Sequence, residues 1–519
     1  MTSDTGDRET NRRVLALEAP LPPERLAAAL QPEGEVAVGR AVQLQRTYLD
    51  SFDWRVWGSG GRLVLEESGG RQSLHWHPGA MSPVTAPVAG TVRFASDLPA
   101  GPIRRDLAPI LEMRALLPMG RVALRQRLVR VLDGQRKTVA LVWWEERSGC
   151  TAIRLRTEVL TGYERAGEAV HRRLLALEGV TPAGESELAL AAAEHGRRPG
   201  DYSSRIDLEL KPETPAGEAA RAVLRRLADT LRANVDGAVE DLDTEFLHDL
   251  RVAVRRTRAA LGQLKAVLDP EAAAPYVEEL RWLGNATGPC RDLDVFQLDV
   301  EGYRKELAPD TAAALQPLAD RLHHMRAQSH RELAADLRSR RFSGFIKRWD
   351  AFLDSDRLCA DTATATLPVR SVAADHIQRA YGRFLNRAQG MGPQPPAEGM
   401  HRLRIDAKKL RYLLEFFASA LGKSAARPLV RELKAIQDTL GAYHDLHVQQ
   451  LRLQEVGREL LTDNGTGADT LLAMGRLSAF LETRQEQHHH DFARRFATFS
   501  DKSVRKAVAR LGGAGERAR

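Results

Sequence analysis

Three cysteines in 519 residues are too few, and odd in number, for a disulfide frame. Cys150, Cys290 and Cys359 stand far apart with no C-x-x-C pair, which reads as reduced thiols and no zinc site. No run approaches the ~18–20 continuous apolar residues that cross a bilayer. The stretch from Met1 to Arg13 lacks the apolar centre of a secretory signal. A cytoplasmic protein without membrane attachment is the expectation. A Gly-rich phosphate loop, G-x-S-x-G and H-E-x-x-H are also missing, which removes the common signatures of nucleotide binding, serine hydrolysis and zinc proteolysis.

What is present is ordinary globular chemistry. Hydrophobic residues make up 43% and charged residues 28%, which excludes wholesale disorder and, with the length, implies two or three domains. The net charge is +7, and most of the excess falls after residue 215. A basic excess speaks about partners rather than fold.

Up to about Leu210 the pattern is one of strands. Val36 to Tyr48, Arg62 to Glu67, Gly120 to Leu132, Lys137 to Glu145 and Thr151 to Leu160 are alternating or β-branched runs. Turn clusters at Gly58 to Gly61, Gly69-Gly70 and Asp133-Gly134 separate them, and Asp133-Gly134 suits a type I′ hairpin. Glu164 to Glu178 reads as one amphipathic helix. The first part is therefore α+β with a mostly antiparallel, barrel-like sheet. Trp54, Trp57, Trp76, Trp143 and Trp144 read as core or sheet-surface aromatics. Glu66-Glu67 and Glu145-Glu146 are adjacent in strands, so the two members of each pair face opposite sides and cannot share a metal.

From Glu218 the period turns helical, with breaks at Asp269-Pro270, Gly288-Pro289, Gly390 to Gly399 and Asn464 to Gly467. The expected division is 1–12 disordered, 13–198 the sheet domain, 199–217 a Pro-containing linker, 218–510 an all-α domain and 511–519 a disordered tail.

The all-α part repeats itself. Leu247-His-Asp-Leu-Arg-Val-Ala-Val-Arg-Arg-Thr-Arg258 returns as Met400-His-Arg-Leu-Arg-Ile-Asp-Ala-Lys-Lys-Leu-Arg411. Gly288-Pro-Cys-Arg-Asp-Leu-Asp-Val295 returns as Gly441-Ala-Tyr-His-Asp-Leu-His-Val448. His248 to His401 and Asp292 to Asp445 are both separations of 153. One offset shared by two motifs points to duplicated halves, ~218–363 and ~369–510, of about six helices each with pseudo-twofold symmetry. The two histidine-bearing helices should then face a shared groove.

At about 100° per residue, His248, Arg251, Arg255 and Arg258 form one narrow stripe, as do His401, Arg404, Lys408 and Arg411. The opposite faces carry Leu250, Val254, Thr257 and Leu261, and Leu403, Ala407, Leu410 and Leu414. Arg281 and Lys434 add a cation from the neighbouring helix of each copy. Such stripes suit a polyanion with regularly spaced charge, and the planar guanidinium fork suits phosphate. Asp292 and Asp445 follow glycine-containing breaks and read as structural residues, capping a helix or orienting a stripe arginine. The His323-His324 and His488 to His490 runs read as exposed helix faces rather than metal sites.

These paired motifs resemble the CHAD family, the conserved histidine α-helical domain, over residues ~216–510. The resemblance implies helical bundles around a basic cleft, binding of inorganic polyphosphate and association with polyphosphate granules. It implies His248, Arg251, Arg255, Arg258, Arg281, His401, Arg404, Lys408, Arg411 and Lys434 as the binding set. The first 200 residues resemble the CYTH family, the triphosphate-tunnel fold of certain adenylate cyclases and triphosphatases. Gln45 to Asp50 is similar to its Tyr-x-Asp segment, Gly120 to Arg127 to its Arg-bearing strand, and Thr157 to Gly162 to its closing strand. The family's Glu-x-Glu-x-Lys, which holds Mg²⁺ or Mn²⁺, appears here as Val14-Leu-Ala-Leu-Glu18, and its later acidic pair as Arg156-x-Glu158. An arginine in a ligand position repels a metal. The expectation is a polyphosphate binder without cofactor, its sheet domain a degenerate, non-catalytic relative. Two alternatives are a metal-dependent triphosphatase or polyphosphatase of CYTH–CHAD type and a nucleic-acid binder using the same cleft.

Overall fold

The computed structural model describes residues 12–17, 19–79, 82–149, 152–184, 186–359, 363–391, 397–462, 467–500 and 502–513. Glu18 and Cys150 lie outside the described residues. The chain divides into two compact units, residues 1–203 and 204–519.

The first unit is built on one antiparallel sheet. Its strands are β1 (Arg12–Leu17), β2 (Glu35–Val38), β3 (Val42–Asp50), β4 (Arg62–Ser68), β5 (Arg71–His77), β6 (Val84–Val88), β7 (Leu117–Leu132), β8 (Thr138–Arg147), β9 (Ile153–Val159) and β10 (Val180–Pro182). Their order is β10-β1-β9-β8-β7-β3-β4-β5-β6, with β2 also pairing to β7. The long run Val36 to Tyr48 is two strands rather than one, because the chain breaks at Gly39 to Ala41 between them. Strand β6 escapes the alternation pattern. It contains Pro87 and ends the sheet path, where a missing N–H is tolerated.

Two turns exchange the geometry expected of them. Gly69 and Gly70 have φ of 57° and 75° and close the two-residue hairpin from Ser68 to Arg71, a conformation that favours glycine. The Asp133-Gly134 turn is longer. Its left-handed residue is Arg136 (φ 60°), and Asp133 Oδ1 accepts from the Gln135 and Lys137 N–H groups. Side-chain capping by Asp133 takes over what a type I′ glycine would supply.

Apolar side chains pack on this sheet in separate clusters. Val129, Val131, Val142, Trp144 and Leu155 meet Leu26, Leu30, Val170 and Leu174 from the helices Pro23–Leu30 and Glu164–Leu175. Leu63, Leu74 and Trp76 meet Ile103, Leu107 and Leu111 from the helix Pro102–Leu111. Each leucine so covered contributes roughly 1.5–3 kcal/mol, enough for three residues of one face to hold a short helix on the sheet.

The second unit is all-helical. From Ser204 the segment before its first helix lies against the helical body: Leu210 N–H donates to Ser419 Oγ, and Lys423 pairs with Asp207 and Glu209. The helices Thr244–Gln263 and Ala397–Phe416 begin and end at the repeat offset, as do the starts of Pro270–Glu306 and Lys423–Thr462. Asp243 and Asp269 cap the first-copy helices, each accepting from two N–H groups. Leu293, Phe296, Val300 and Tyr303 share one core with Leu446, Leu453 and Val456, which match Leu293, Val300 and Tyr303 at the repeat offset.

Two boundaries differ from the sequence reading. Gly288-Pro289 does not break the chain; it lies inside the helix Pro270–Glu306, and Gly441 lies inside Lys423–Thr462. Asp292 and Asp445 are therefore mid-helix and cap nothing. The last helix, Lys502–Gly513, runs through 511–513, which the sequence assigned to the tail.

Candidate functional site

The helix Thr244–Gln263 packs through Leu250, Val254, Thr257 and Leu261, all buried, and Ala397–Phe416 through Leu403, Ala407, Leu410 and Leu414, all buried. That fixes the basic stripes on the remaining face of each. The two helices lie against one another. Arg256 of the first donates to Glu415 of the second at 2.6 Å, and Gln263 donates to the Lys409 carbonyl at 3.2 Å. The stripes thus belong to one neighbourhood.

Arg251, Arg258 and Arg404 are set over the long helix of their own copy. Arg251 Nη1 donates to the Gly284 carbonyl at 3.2 Å, and its Nη2 stands 3.6 Å from Asp292. Arg404 Nη2 donates to Asp445 at 3.2 Å. A β-carbon on Gly288 would stand 2.9 Å from Arg251 Nη1, and one on Gly284 3.1 Å from Arg258 Nη1. The glycines let half-buried guanidinium groups lie flat on the helix, and the repeated aspartate aims them.

Charge is out of balance here. Burial lowers the pKa of Arg251, and although Asp292 opposes this, Arg255, Arg291 and Arg404 add to it. Burial also lowers Arg404, against Asp445 and together with Arg255. Lys408 is pushed down to about 7 by burial and by Arg404, Arg255 and Arg411. Burial lifts the Asp292 carboxyl, Arg251 counters, and Asp445 adds repulsion, so the two copies' aspartates sense each other. Arg251, Arg255, Arg404, Lys408 and Arg411 share two aspartates and Glu415, which Arg256 also engages. The Nε atoms of Arg255 and Arg404 are buried without hydrogen-bond partners, whereas Arg411 Nε stands 3.3 Å from Glu415. A buried donor left unpaired costs about 1–3 kcal/mol, and an entering anion with several acceptor oxygens removes that cost.

The other candidates are more peripheral. Arg258 is exposed, and His248 is half-buried one turn before Arg251. His401 is exposed and stacks at 4.8 Å on His444. Arg281 is exposed and paired with Glu278; Lys434 is exposed. The sequence reading missed Arg291 and His444. They occupy matching positions, each directly before the repeated aspartate. His444 is held down to about 4 by burial beside Arg404, His401 and Lys408, so it stands neutral, able to donate or accept. Of the histidine runs, His323 and His324 are exposed.

The sheet unit holds a cavity of about 1050 Å³ lined by Arg13, Arg62, Arg154, Arg156, Trp143 and Glu158, among others. Arg156 does project into it, over the Trp143 ring at 4.1 Å and 3.6 Å from Glu145. At its wall Arg46 donates to Glu66 (2.8 Å), Glu145 (3.0 Å) and Glu187 (2.6 Å). Among the described residues no group of three or more His, Cys, Asp or Glu is disposed to hold a metal ion. Three of the four described glutamates that line the cavity, Glu66, Glu145 and Glu187, are committed to Arg46, so the described donor set does not fit Mg²⁺ or Mn²⁺. No described helix is long and apolar enough to cross a membrane.

Comparison with known proteins matches residues 222–454 to the CHAD domain family. A protein of Mycobacterium tuberculosis, described as uncharacterised, is 28% identical over 337 residues, which is 63% of this chain and 60% of the relative. The chain thus spans about 60% of that relative's length. The crystal structure of the CHAD domain from the plant Ricinus communis is similar at 24% identity and TM-score 0.48, covering 60% of this chain and 97% of that one. An adenylyl-cyclase-type protein from Hippeastrum, described as having a dominant triphosphatase activity, is similar at 13% identity and TM-score 0.27, over 37% of this chain and 99% of its own.

Proposed function

Since residues 222–454 match the CHAD domain family, we propose that this chain binds inorganic polyphosphate, or a similar linear phosphate polyanion, along the two basic stripes. The observation that carries this reading is the neighbourhood of Arg251, Arg255, Arg404 and Lys408. Cations from both copies depress one another there, with too few carboxylates to neutralise them. Phosphate oxygens entering the cluster relieve repulsion and meet buried guanidinium donors. Asp292 and Asp445 keep two of those donors aimed before the ligand arrives, so little ordering is left to do on binding. The sheet unit is a non-catalytic companion on this reading.

The test is a salt titration of long-chain polyphosphate binding. Each contact contributes about −0.7 to the log–log slope, taking single-stranded nucleic acid as a rough analogue. A steep slope that flattens in the Arg251→Ala/Arg404→Ala protein supports the site, and an unchanged slope overturns it. The rival metal-dependent triphosphatase predicts phosphate release from tripolyphosphate with Mg²⁺ or Mn²⁺. The nucleic-acid reading predicts that RNA displaces polyphosphate at equal charge concentration.

A further inference from the structure

Arg46 is an unusual residue for the middle of a strand. It lies on β3, its side chain is 7% exposed, and three glutamates from three other elements converge on it. Glu66 comes from β4, Glu145 from β8, and Glu187 from the helix Glu187–Ala193. The guanidinium meets each on a different nitrogen edge: Nε to Glu66, Nη2 to Glu145, and Nη1 to Glu187, with Nη1 also 3.3 Å from Glu145. Second partners hold the carboxylates in turn. Gln126 donates to Glu145 at 2.8 Å, the Tyr48 hydroxyl donates to Glu187, and His75 stands 3.4 Å from Glu66.

Taking these charges out of water is expensive, and removing one partner of such a group costs far more than the group contributes. Burial alone would raise the Glu145 carboxyl, yet Arg46 and Arg156 hold it below the ordinary range. All three carboxylates stand as oxygen donors around a single cation. Three hard oxygen donors around one positive centre is the arrangement a divalent ion takes.

We infer that the Arg46 guanidinium is a built-in replacement for a divalent cation, so that the sheet cavity keeps its carboxylates in place without metal and shuts metal out. This extends beyond the polyphosphate reading of the helical unit and stands or falls separately from it. Two consequences follow from the charges. With Arg46 present, a metal entering the wall must displace a guanidinium held on every edge. With Arg46 gone, Glu145 keeps Arg156, Glu66 keeps His75 and Glu187 keeps the neutral Tyr48 hydroxyl, while Arg13, Arg62 and Arg154 line the same cavity. The wall must then take up protons or bind a cation.

The experiment uses the full chain and Mn²⁺ as the probe. Arg46→Met keeps roughly the volume and removes the charge. Electron paramagnetic resonance of bound Mn²⁺ should detect none held by the wild-type wall and about one ion per chain in Arg46→Met. The variant should melt on the order of 10 °C lower in the transition assigned to the sheet unit. At about 1 mM Mn²⁺ it should recover at least half of that loss, because a ligand that binds only the folded state stabilises it. Arg46→Lys, which restores one positive charge, should bind no Mn²⁺. A folded Arg46→Met protein that takes up protons but no Mn²⁺ overturns the inference. So does wild-type Mn²⁺ binding that Glu145→Gln abolishes. If Arg46→Met does not fold with or without Mn²⁺, Arg46→Met/Glu66→Gln sheds one negative charge and carries the test. Mn²⁺ must raise its melting temperature, and no rise overturns the inference equally.

Discussion

Both units gather arginines into partly buried surroundings, and they do opposite things with them. In the sheet unit one guanidinium meets three carboxylates, and every edge of Arg46 is taken. In the helical unit the five cations of the cluster share two aspartates and Glu415, and the buried Nε atoms of Arg255 and Arg404 have no hydrogen-bond partner. The residue type is the same. The ratio of carboxylate to guanidinium decides whether the cluster is neutralised from within or left with an excess of positive charge, as the proposed polyphosphate site requires.

The sharpest way to break this comparison is to remove the excess charge. Arg251→Ala/Arg404→Ala should weaken polyphosphate binding most of all and flatten the log–log salt slope by about 1.4, two contacts at roughly 0.7 each. The circular dichroism of the variant should stay helical, because the stripe lies opposite the buried Leu250, Val254, Leu403 and Ala407.

A smaller effect sharpens the point through pH. Lys408 is held down to about 7, so above that pH it stands neutral in the free protein. A bound polyanion favours its charged form, so binding takes up a proton. Affinity should therefore weaken as pH rises from about 7 to 9, by at most about tenfold per unit. Lys408→Arg should flatten that profile, since arginine stays charged throughout. The same group opposes folding. Its folded pKa lies below the ordinary lysine value of 10.5, so the unfolded chain binds more protons between the two values. The destabilisation is complete below about 7 and fades toward about 10.5. Lys408→Met should accordingly raise the melting temperature of the helical unit most at pH 6–7 while weakening binding.

Next in size is Gly288→Ala. Its β-carbon would stand 2.9 Å from Arg251 Nη1 and push the guanidinium off the helix. A loss of a few-fold in affinity is expected, with the salt slope nearly unchanged, because the charge stays in the cluster. Arg281→Ala should do least. Arg281 is exposed and already paired with Glu278, and exposed pairs contribute about 0–1 kcal/mol. A twofold change or less in the same titration is the expected result.

The helical cluster was largely legible in the sequence, because helical periodicity is local. A stripe of steps three or four residues long fixes a face, and the buried face opposite it is the one the pattern names. What the pattern could not show was continuity through Gly288-Pro289. A proline removes one intrahelical donor and usually ends or kinks a helix. Here Leu280, Leu283, Leu293 and Phe296, buried on either side of it, hold the helix as one piece. The glycine there serves Arg251 rather than a turn. Nothing local marks Arg46 at all. Its three partners lie 20, 99 and 141 residues away, brought together only by the order of strands and the docking of one short helix. Arg291 and His444 fall between these cases. Their matched place before the repeated aspartate is visible, but the two residue types differ and hide it.

The shared core of the helical unit has a consequence for assembly. Leu293, Phe296 and Val300 lie against Leu446, Leu453 and Val456, so one copy of the repeat alone would leave an apolar strip bare. The surface that best covers such a strip is a second copy of itself, as in a symmetric homodimer. A cleft divided between two free chains exists only above their dissociation constant and fades on dilution. Joined head to tail in one polypeptide, the same two stripes meet at any concentration, and the cleft becomes a property of the single molecule.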